Sequence, residues 1–165
     1  MKRLLTLLAA CIAACAATAQ SRIETFTFRS ALLGAEKTCS VYLPAGYDDS
    51  GRSYPVLYLL HGASGYHGDW AEKGNMRQIA DEAIAAGTAL PMIVVMPDAS
   101  GTGENYTGDR MGYFDVPGWP YERFFFEEFV PAVERRYRIC GDKARRAISG
   151  LSMGGGGTAV YGVPE

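Results

Sequence analysis

The sequence predicts an α/β fold, a parallel-dominated sheet with helices on both faces. Three observations carry that expectation. Two runs, Pro55-Val56-Leu57-Tyr58-Leu59-Leu60 and Ile93-Val94-Val95-Met96, are continuously apolar, as strands buried on both faces are. Beyond residue 55, strand-like runs alternate with segments of helical periodicity, which argues a parallel sheet with helices on both faces. A third short apolar run leads into a glycine-flanked serine, Gly150-Leu151-Ser152-Met153-Gly154, the composition of a tight strand-to-helix turn.

Taken in order, Arg22 to Arg29 and Lys37 to Leu43 each alternate apolar and polar residues. With Gly34-Ala35 between them, they are expected to form two antiparallel strands joined by a turn. Pro44 to Ser53 is polar and rich in Gly and Asp, the profile of a surface loop. The strand ending at Leu60 runs straight into His61-Gly62-Ala63-Ser64-Gly65. Asn75 is then expected to cap a helix, with Gln78 as its capping-box partner. Met76, Ile79, Ala80, Ala83 and Ile84 would form the buried face of that helix and Gly87 would end it. The run Ile93 to Met96 supplies a second buried strand. Asp98 to Pro120 has no periodicity, and a loop of this length in a compact domain is usually functional. From about Tyr121 a helix should turn Phe126, Phe129, Val130, Val133 and Tyr137 inward, with Pro131 kinking or restarting it. Arg145 to Ser149 forms the strand before the serine, and a last helix follows. The sequence carries no internal repeat, low-complexity tract or domain linker.

The chain has 165 residues, 48% of them hydrophobic and 21% charged, with a net charge of −2. That suits one small globular domain and gives no basic surface for nucleic acid. Residues 1–19 stand apart. Lys2 and Arg3 precede an apolar run from Leu4 to Ala17, and Ala17-Thr18-Ala19 is a small-x-small cleavage site. This is the pattern of a secretory signal peptide, too short to span a membrane, with Gln20 as the first residue of the exported chain. Its removal would take the net charge from −2 to −4. Leu8-Ala9-Ala10-Cys11 and Ile12-Ala13-Ala14-Cys15 also resemble lipoprotein boxes. Only Cys15 leaves a long enough apolar region, so an outer-surface lipoprotein anchored there is the alternative to a secreted or periplasmic protein. Beyond the leader, Cys39 and Cys140 are the remaining cysteines. Two unpaired thiols are expected, since nothing in the sequence brings them together. Neither has metal-ligand neighbours, and no metal or cofactor is expected.

Chemistry concentrates at Ser152. In a G-x-S-x-G turn, a side chain two residues either side of the serine would strike the neighbouring strand or helix as the chain doubles back. The serine is held exposed, and the N–H of Met153 opens a helix beside the place where an oxyanion would form. Such a serine works with an acid and then a histidine later in the chain. After Ser152 come thirteen residues, with one carboxylate, Glu165, and no histidine. The domain, residues 20–165, is therefore expected to be the N-terminal part of a longer fold, ending just after the helix that follows the serine.

Leu59-Leu60-His61-Gly62, Trp70, Met96-Pro97-Asp98, Tyr121-Glu122, Phe129-Val130-Pro131 and Gly150-Leu151-Ser152-Met153-Gly154-Gly155 together resemble the esterase D-like α/β-hydrolases. That group includes feruloyl and acetylxylan esterases of carbohydrate esterase family one, S-formylglutathione hydrolase and the antigen 85 mycolyltransferases. The resemblance covers about residues 23 to 164. It implies an exported serine ester hydrolase acting on small-molecule or carbohydrate esters, built here as an incomplete α/β-hydrolase. Ser152 matches the nucleophile, and the Met153 and Ala63 amides match the two oxyanion donors, each worth about 3 kcal/mol where measured. The family's acid and histidine have no counterpart.

Other residues are candidates for the substrate cleft. His61 sits at a strand end, where loop architecture competes with a catalytic role. Asp98 ends a strand on the crevice side, where a turn or cap competes with a substrate contact. Trp70, Tyr106, Tyr113, Phe114 and Trp119 are candidates for an aromatic acyl pocket, with core packing as the alternative. His67 reads as a surface histidine. A second class of function also fits the sequence, a non-catalytic glycan- or ester-binding surface protein that kept the cleft and lost the chemistry.

Overall fold

A computed structural model describes residues 20–101 and 112–162. The leader with Cys15, Tyr106 and Glu165 lie outside the described residues. Strand β1 (Arg22–Arg29) pairs antiparallel with β2 (Glu36–Leu43), turning through Gly34. A short helix α1 (Tyr47–Ser50) then leads to β3 (Val56–Leu60). The predicted loop from Pro44 to Ser53 thus contains one helical turn, fixed by burial of Tyr47 against Tyr54. Helices α2 (Asp69–Glu72) and α3 (Met76–Ala85) carry the chain to β4 (Ile93–Pro97).

Beyond β4, Asp115–Val116 (β5) and Trp119–Pro120 (β6) form a two-stranded hairpin around Pro117-Gly118, a feature the aperiodic sequence did not announce. Helix α4 (Tyr121–Arg123) passes into a π-helical turn, Phe124–Phe129, and then into α5 (Val130–Arg136). A 3₁₀ turn, Lys143–Arg145, precedes β7 (Arg146–Gly150), and α6 (Met153–Tyr161) follows.

Five strands form one sheet in the order β1-β2-β4-β3-β7. The pairs β3–β4 and β3–β7 are parallel, and β2–β4 is antiparallel. Alternate residues feed two cores. Val41, Leu43, Val56, Tyr58, Leu60, Ile93 and Val95 pack with Phe124, Phe125, Phe129 and Val133 on one face. Tyr42, Val94 and Met96 pack with Met76 of α3 on the other. The uninterrupted apolarity of β3 and β4 follows from having a helical layer on each side.

Three expectations about the helices are corrected. Asn75 stands at the N-terminus of α3, but in a left-handed conformation (φ 48°) with no side-chain capping bond, and Gln78 bonds Glu82 instead. Ile79 is 60% exposed, so the inward stripe is Met76, Ala80 and Ile84. Phe126 is 48% exposed, whereas Phe124 and Phe125 are buried. The π turn causes that last change. Its wider ring, closed by Val130 N–H donating to Phe125 O, inserts a residue and rotates the phenylalanines before α5 begins at Val130.

Candidate active site

Leu60 and Gly150 are paired in register at the ends of parallel strands β3 and β7. The two chains therefore leave the sheet side by side, Leu60 toward Ala63 and Gly150 toward Met153. They remain in contact: Leu151 N–H donates to Leu60 O at 3.2 Å.

Ser152 is exposed and has φ 54° and ψ −113°, a combination an L residue holds only under strain. The glycines on either side allow the turn. A Cβ at Gly150 would lie 2.5 Å from the Gly154 carbonyl, and one at Gly154 would lie 2.6 Å from Leu60 O. Met153 opens α6, so its N–H precedes the first intrahelical bonds and stays directed out of the helix end.

The other loop is a four-residue turn. Gly65 N–H closes on Gly62 O at 3.2 Å, Ser64 takes φ 61°, and Ala63 is exposed at its crest. Trp70, whose indole N–H donates to Leu60 O at 3.1 Å, joins Gly62, Asp69, Lys73 and Leu151 around a cleft of about 200 Å³ beside the turn.

The remaining candidates divide. His61 is buried with both ring nitrogens engaged. Nε2 accepts from Ala99 N–H at 2.9 Å, which leaves Nδ1 to donate to Gly62 O at 2.8 Å. His61 borders that cleft, but the residue is 1% exposed and both ring nitrogens are spent on backbone groups, so no polar atom is left for substrate, a correction to its candidacy as a substrate contact. Trp119 is corrected in the same way. It is 1% exposed and donates to Gly112 O, because the hairpin folds it under the sheet end, where Lys37 Nζ lies 5.3 Å from its ring. Asp98 folds into its own turn, Oδ1 accepting from Ser100 N–H at 2.8 Å, with Tyr121 donating to its backbone carbonyl. Burial works against ionisation of Asp98, but the Lys37 ammonium and the Ser100 contacts favour the ionised form, and the carboxyl is held below its usual range.

Tyr113 is buried and donates to His61 O, while Phe114 is 40% exposed over Gly156 of α6. His67 is partly buried rather than superficial, its Nδ1 2.8 Å from Ser40 Oγ. Cys39 and Cys140 are both unbonded thiols among the described residues. Among the described residues no cluster of His, Cys, Asp and Glu could hold a metal, and no helix is long and apolar enough to cross a membrane. Sequence reasoning missed Lys37, a buried lysine on β2 whose Nζ donates to Ser100 O at 2.8 Å. Its one signal was a cation in an inward register position of an alternating strand.

Comparison with known proteins places this arrangement in context. The Esterase family model matches residues 30–162. An endo-1,4-beta-xylanase/feruloyl esterase of Xylanibacter ruminicola is 36% identical over 137 residues, covering 81% of this chain and 18% of that protein. A solved ferulic acid esterase superposes with a TM-score of 0.82 at 44% identity, covering 88% of this chain and 54% of that one. The CE1 ferulic acid esterase of Anaeromyces mucronatus, solved in complex with ferulic acid, gives 0.66 at 28% identity, covering 81% and 50%. The chain thus spans about a fifth of that curated relative and about half of these solved chains.

Proposed function

The chain belongs to the Esterase family, and from that premise we propose that residues 20–165 form the nucleophile-bearing part of an exported serine ester hydrolase acting on acyl, acetyl or feruloyl esters, including those of carbohydrates. The observation that carries the reading is the backbone of Ser152: exposed, at φ 54°, pinched between Gly150 and Gly154 at the mouth of α6. A fold keeps an L residue in that state where function requires it. Relatives named as feruloyl esterases support the substrate class.

In the proposed chemistry Ser152 Oγ attacks the ester carbonyl carbon and forms a tetrahedral intermediate. The Met153 and Ala63 amides take up its negative charge. The serine proton passes to a histidine base and then to the departing alcohol. Neither histidine of this chain is placed for that task. His61 is committed to Ala99 and Gly62, and His67 sits against Ser40 of β2. Loss of the base alone lowers turnover on the order of a millionfold in a serine hydrolase, so the 165 residues alone are inactive as an esterase. The leader supports export, by cleavage before Gln20 or by a lipid at Cys15.

The test has two arms. The purified chain is expected to show no Ser152-dependent hydrolysis of p-nitrophenyl acetate. A chimera, with the part of a solved ferulic acid esterase that follows its own nucleophile helix joined after Tyr161, is expected to hydrolyse methyl ferulate and to lose that activity with Ser152→Ala. A folded chimera that binds xylan oligosaccharides yet performs no Ser152-dependent hydrolysis would turn the assignment to the non-catalytic binding protein.

A further inference from the structure

The geometry points to His61 and Lys37 as positioning residues that aim the Ala63 amide, an inference that rests on the hydrolase reading above. The chain of contacts begins at the peptide between Gly62 and Ala63. Among the described residues no peptide bond is cis, and in a trans peptide the C=O and N–H point in opposite directions. The Gly62 carbonyl is held inward by two donors, His61 Nδ1–H at 2.8 Å and Gly65 N–H at 3.2 Å. Holding that oxygen inward turns the N–H of Ala63 outward. His61 therefore acts on the donor through a single rigid plane.

In a neutral imidazole one ring nitrogen donates and the other accepts, and the Ala99 N–H, donating to Nε2 at 2.9 Å, makes Nδ1 the donor. The Ala99 peptide is fixed in turn by its flanks. Asp98 Oδ1 accepts from Ser100 N–H, Tyr121 donates to Asp98 O, and Lys37 Nζ donates to Ser100 O at 2.8 Å while standing 3.8 Å from Asp98 Oδ1. Lys37 is 4% exposed, too deep to meet substrate. The position of its ammonium accounts for a buried cation that the fold would otherwise have little reason to keep. Gly65 completes the device, since a Cβ there would lie 2.6 Å from Asp69 Oδ2 and 3.0 Å from His61 Nδ1.

Hydrogen exchange followed by mass spectrometry on the full chain tests the inference without requiring catalysis. Lys37→Met is expected to speed exchange in residues 61–65 about fivefold, the worth of one hydrogen bond, with Lys37→Arg restoring the wild-type rate. His61→Asn, whose amide nitrogen overlies Nδ1, is expected to protect the turn better than His61→Gln, which keeps only the acceptor toward Ala99. A residue that merely fills space would not distinguish these pairs. Exchange in β1, β2 and α3 reports global folding, and Lys37→Met carries the test if the His61 variants unfold there. Unchanged exchange at 61–65 in Lys37→Met overturns the inference, and leaves the hydrolase reading standing if the chimera still shows Ser152-dependent turnover. In the chimera, Lys37→Met is expected to lower kcat with KM unchanged. Faster exchange with kcat intact would overturn Ala63 as an oxyanion donor, and the inference with it.

Discussion

Gly154 at the start of α6 rests directly on the carbonyl of Leu60 at the end of β3, with no room between them for a methyl group. The contact is what brings the serine turn and the Gly62–Gly65 turn together, so it sets the distance between the two proposed oxyanion amides. Gly154→Ala is expected to destabilise the chain by about 1–3 kcal/mol, the range for overpacking a tight site. The neighbouring Gly155 behaves oppositely. A Cβ there meets Gly150 O at an ordinary 3.5 Å, in a helix where glycine is a poor residue, so Gly155→Ala is expected to add about 0.4–1 kcal/mol. Urea midpoints of the two variants check both signs.

Backbone strain at Ser152 leads to a second expectation. Holding an L residue at φ 54° and ψ −113° costs about 1–3 kcal/mol. Ser152→Gly relieves that cost and is expected to stabilise the chain by about 1 kcal/mol or more. Ser152→Ala keeps the Cβ and the strain, and leaves stability close to wild type. Equal unfolding midpoints for the two variants would show that the turn is relaxed, which would remove the observation on which the nucleophile assignment rests.

How much of this was legible beforehand depended on how local each cause was. The buried strands announced themselves because a strand covered on both sides has no polar face to show, as in Ile93-Val94-Val95-Met96. The serine turn was legible because its steric demands fall on Gly150 and Gly154, within two residues of Ser152. Helical faces were read with a fixed periodicity. That reading failed at Phe124–Phe129, where a π turn adds a residue and sends Phe126 outward. Asn75 was read as a side-chain cap, but its left-handed backbone turns the side chain away from that bond. His61 was visible as a histidine at a strand end. Its partner Ala99 lies 38 residues away, and no local pattern could name it. Trp119 belongs to the core for the same kind of reason, since the hairpin that buries it is made by a Pro-Gly turn in an otherwise aperiodic stretch.

His67 gives the chain a pH dependence of predictable sign. Burial holds its pKa below the usual 6.5, with Asp98 and Glu72 offsetting only part of the effect. The unfolded chain therefore binds the proton more tightly than the folded one. Unfolding free energy carries a penalty at pH values below the folded pKa, rises as pH climbs from there to 6.5, and is level above it. His67→Gln keeps a polar partner for Ser40 and removes the titration. It is expected to flatten this part of the profile, as measured by urea unfolding at a series of pH values. A variant whose curve keeps the same slope would assign the titration to another group.

The outer edge of β7 carries the last expectation. Among the described residues β7 pairs only with β3, so one side of Arg146–Gly150 presents unpaired backbone donors and acceptors. Apolar surface flanks it on both faces of the sheet. Phe125, Phe126, Ile148 and Tyr161 line a cavity of about 370 Å³ on one side, and Val56, Leu57, Leu90 and Met92 line one of about 440 Å³ on the other. The hydroxyl of Tyr58 is buried beside the first cavity without a hydrogen-bond partner among the described residues. An open strand between two apolar grooves is the geometry that promotes edge-to-edge association. The 165-residue chain is expected to self-associate increasingly with concentration and to be poorly soluble at high concentration. Ala147, exposed in the middle of β7 and bordering both cavities, is the position at which to interrupt the process. Ala147→Lys places a charge on the edge without removing a core contact, and is expected to shift sedimentation profiles toward monomer while leaving the urea midpoint unchanged. If the wild-type chain sediments as a monomer and unfolds reversibly over the accessible concentration range, the edge is not a sticky surface and the expectation fails. If Ala147→Lys associates as strongly as wild type, association proceeds through some other face, such as the exposed Ile79 of α3.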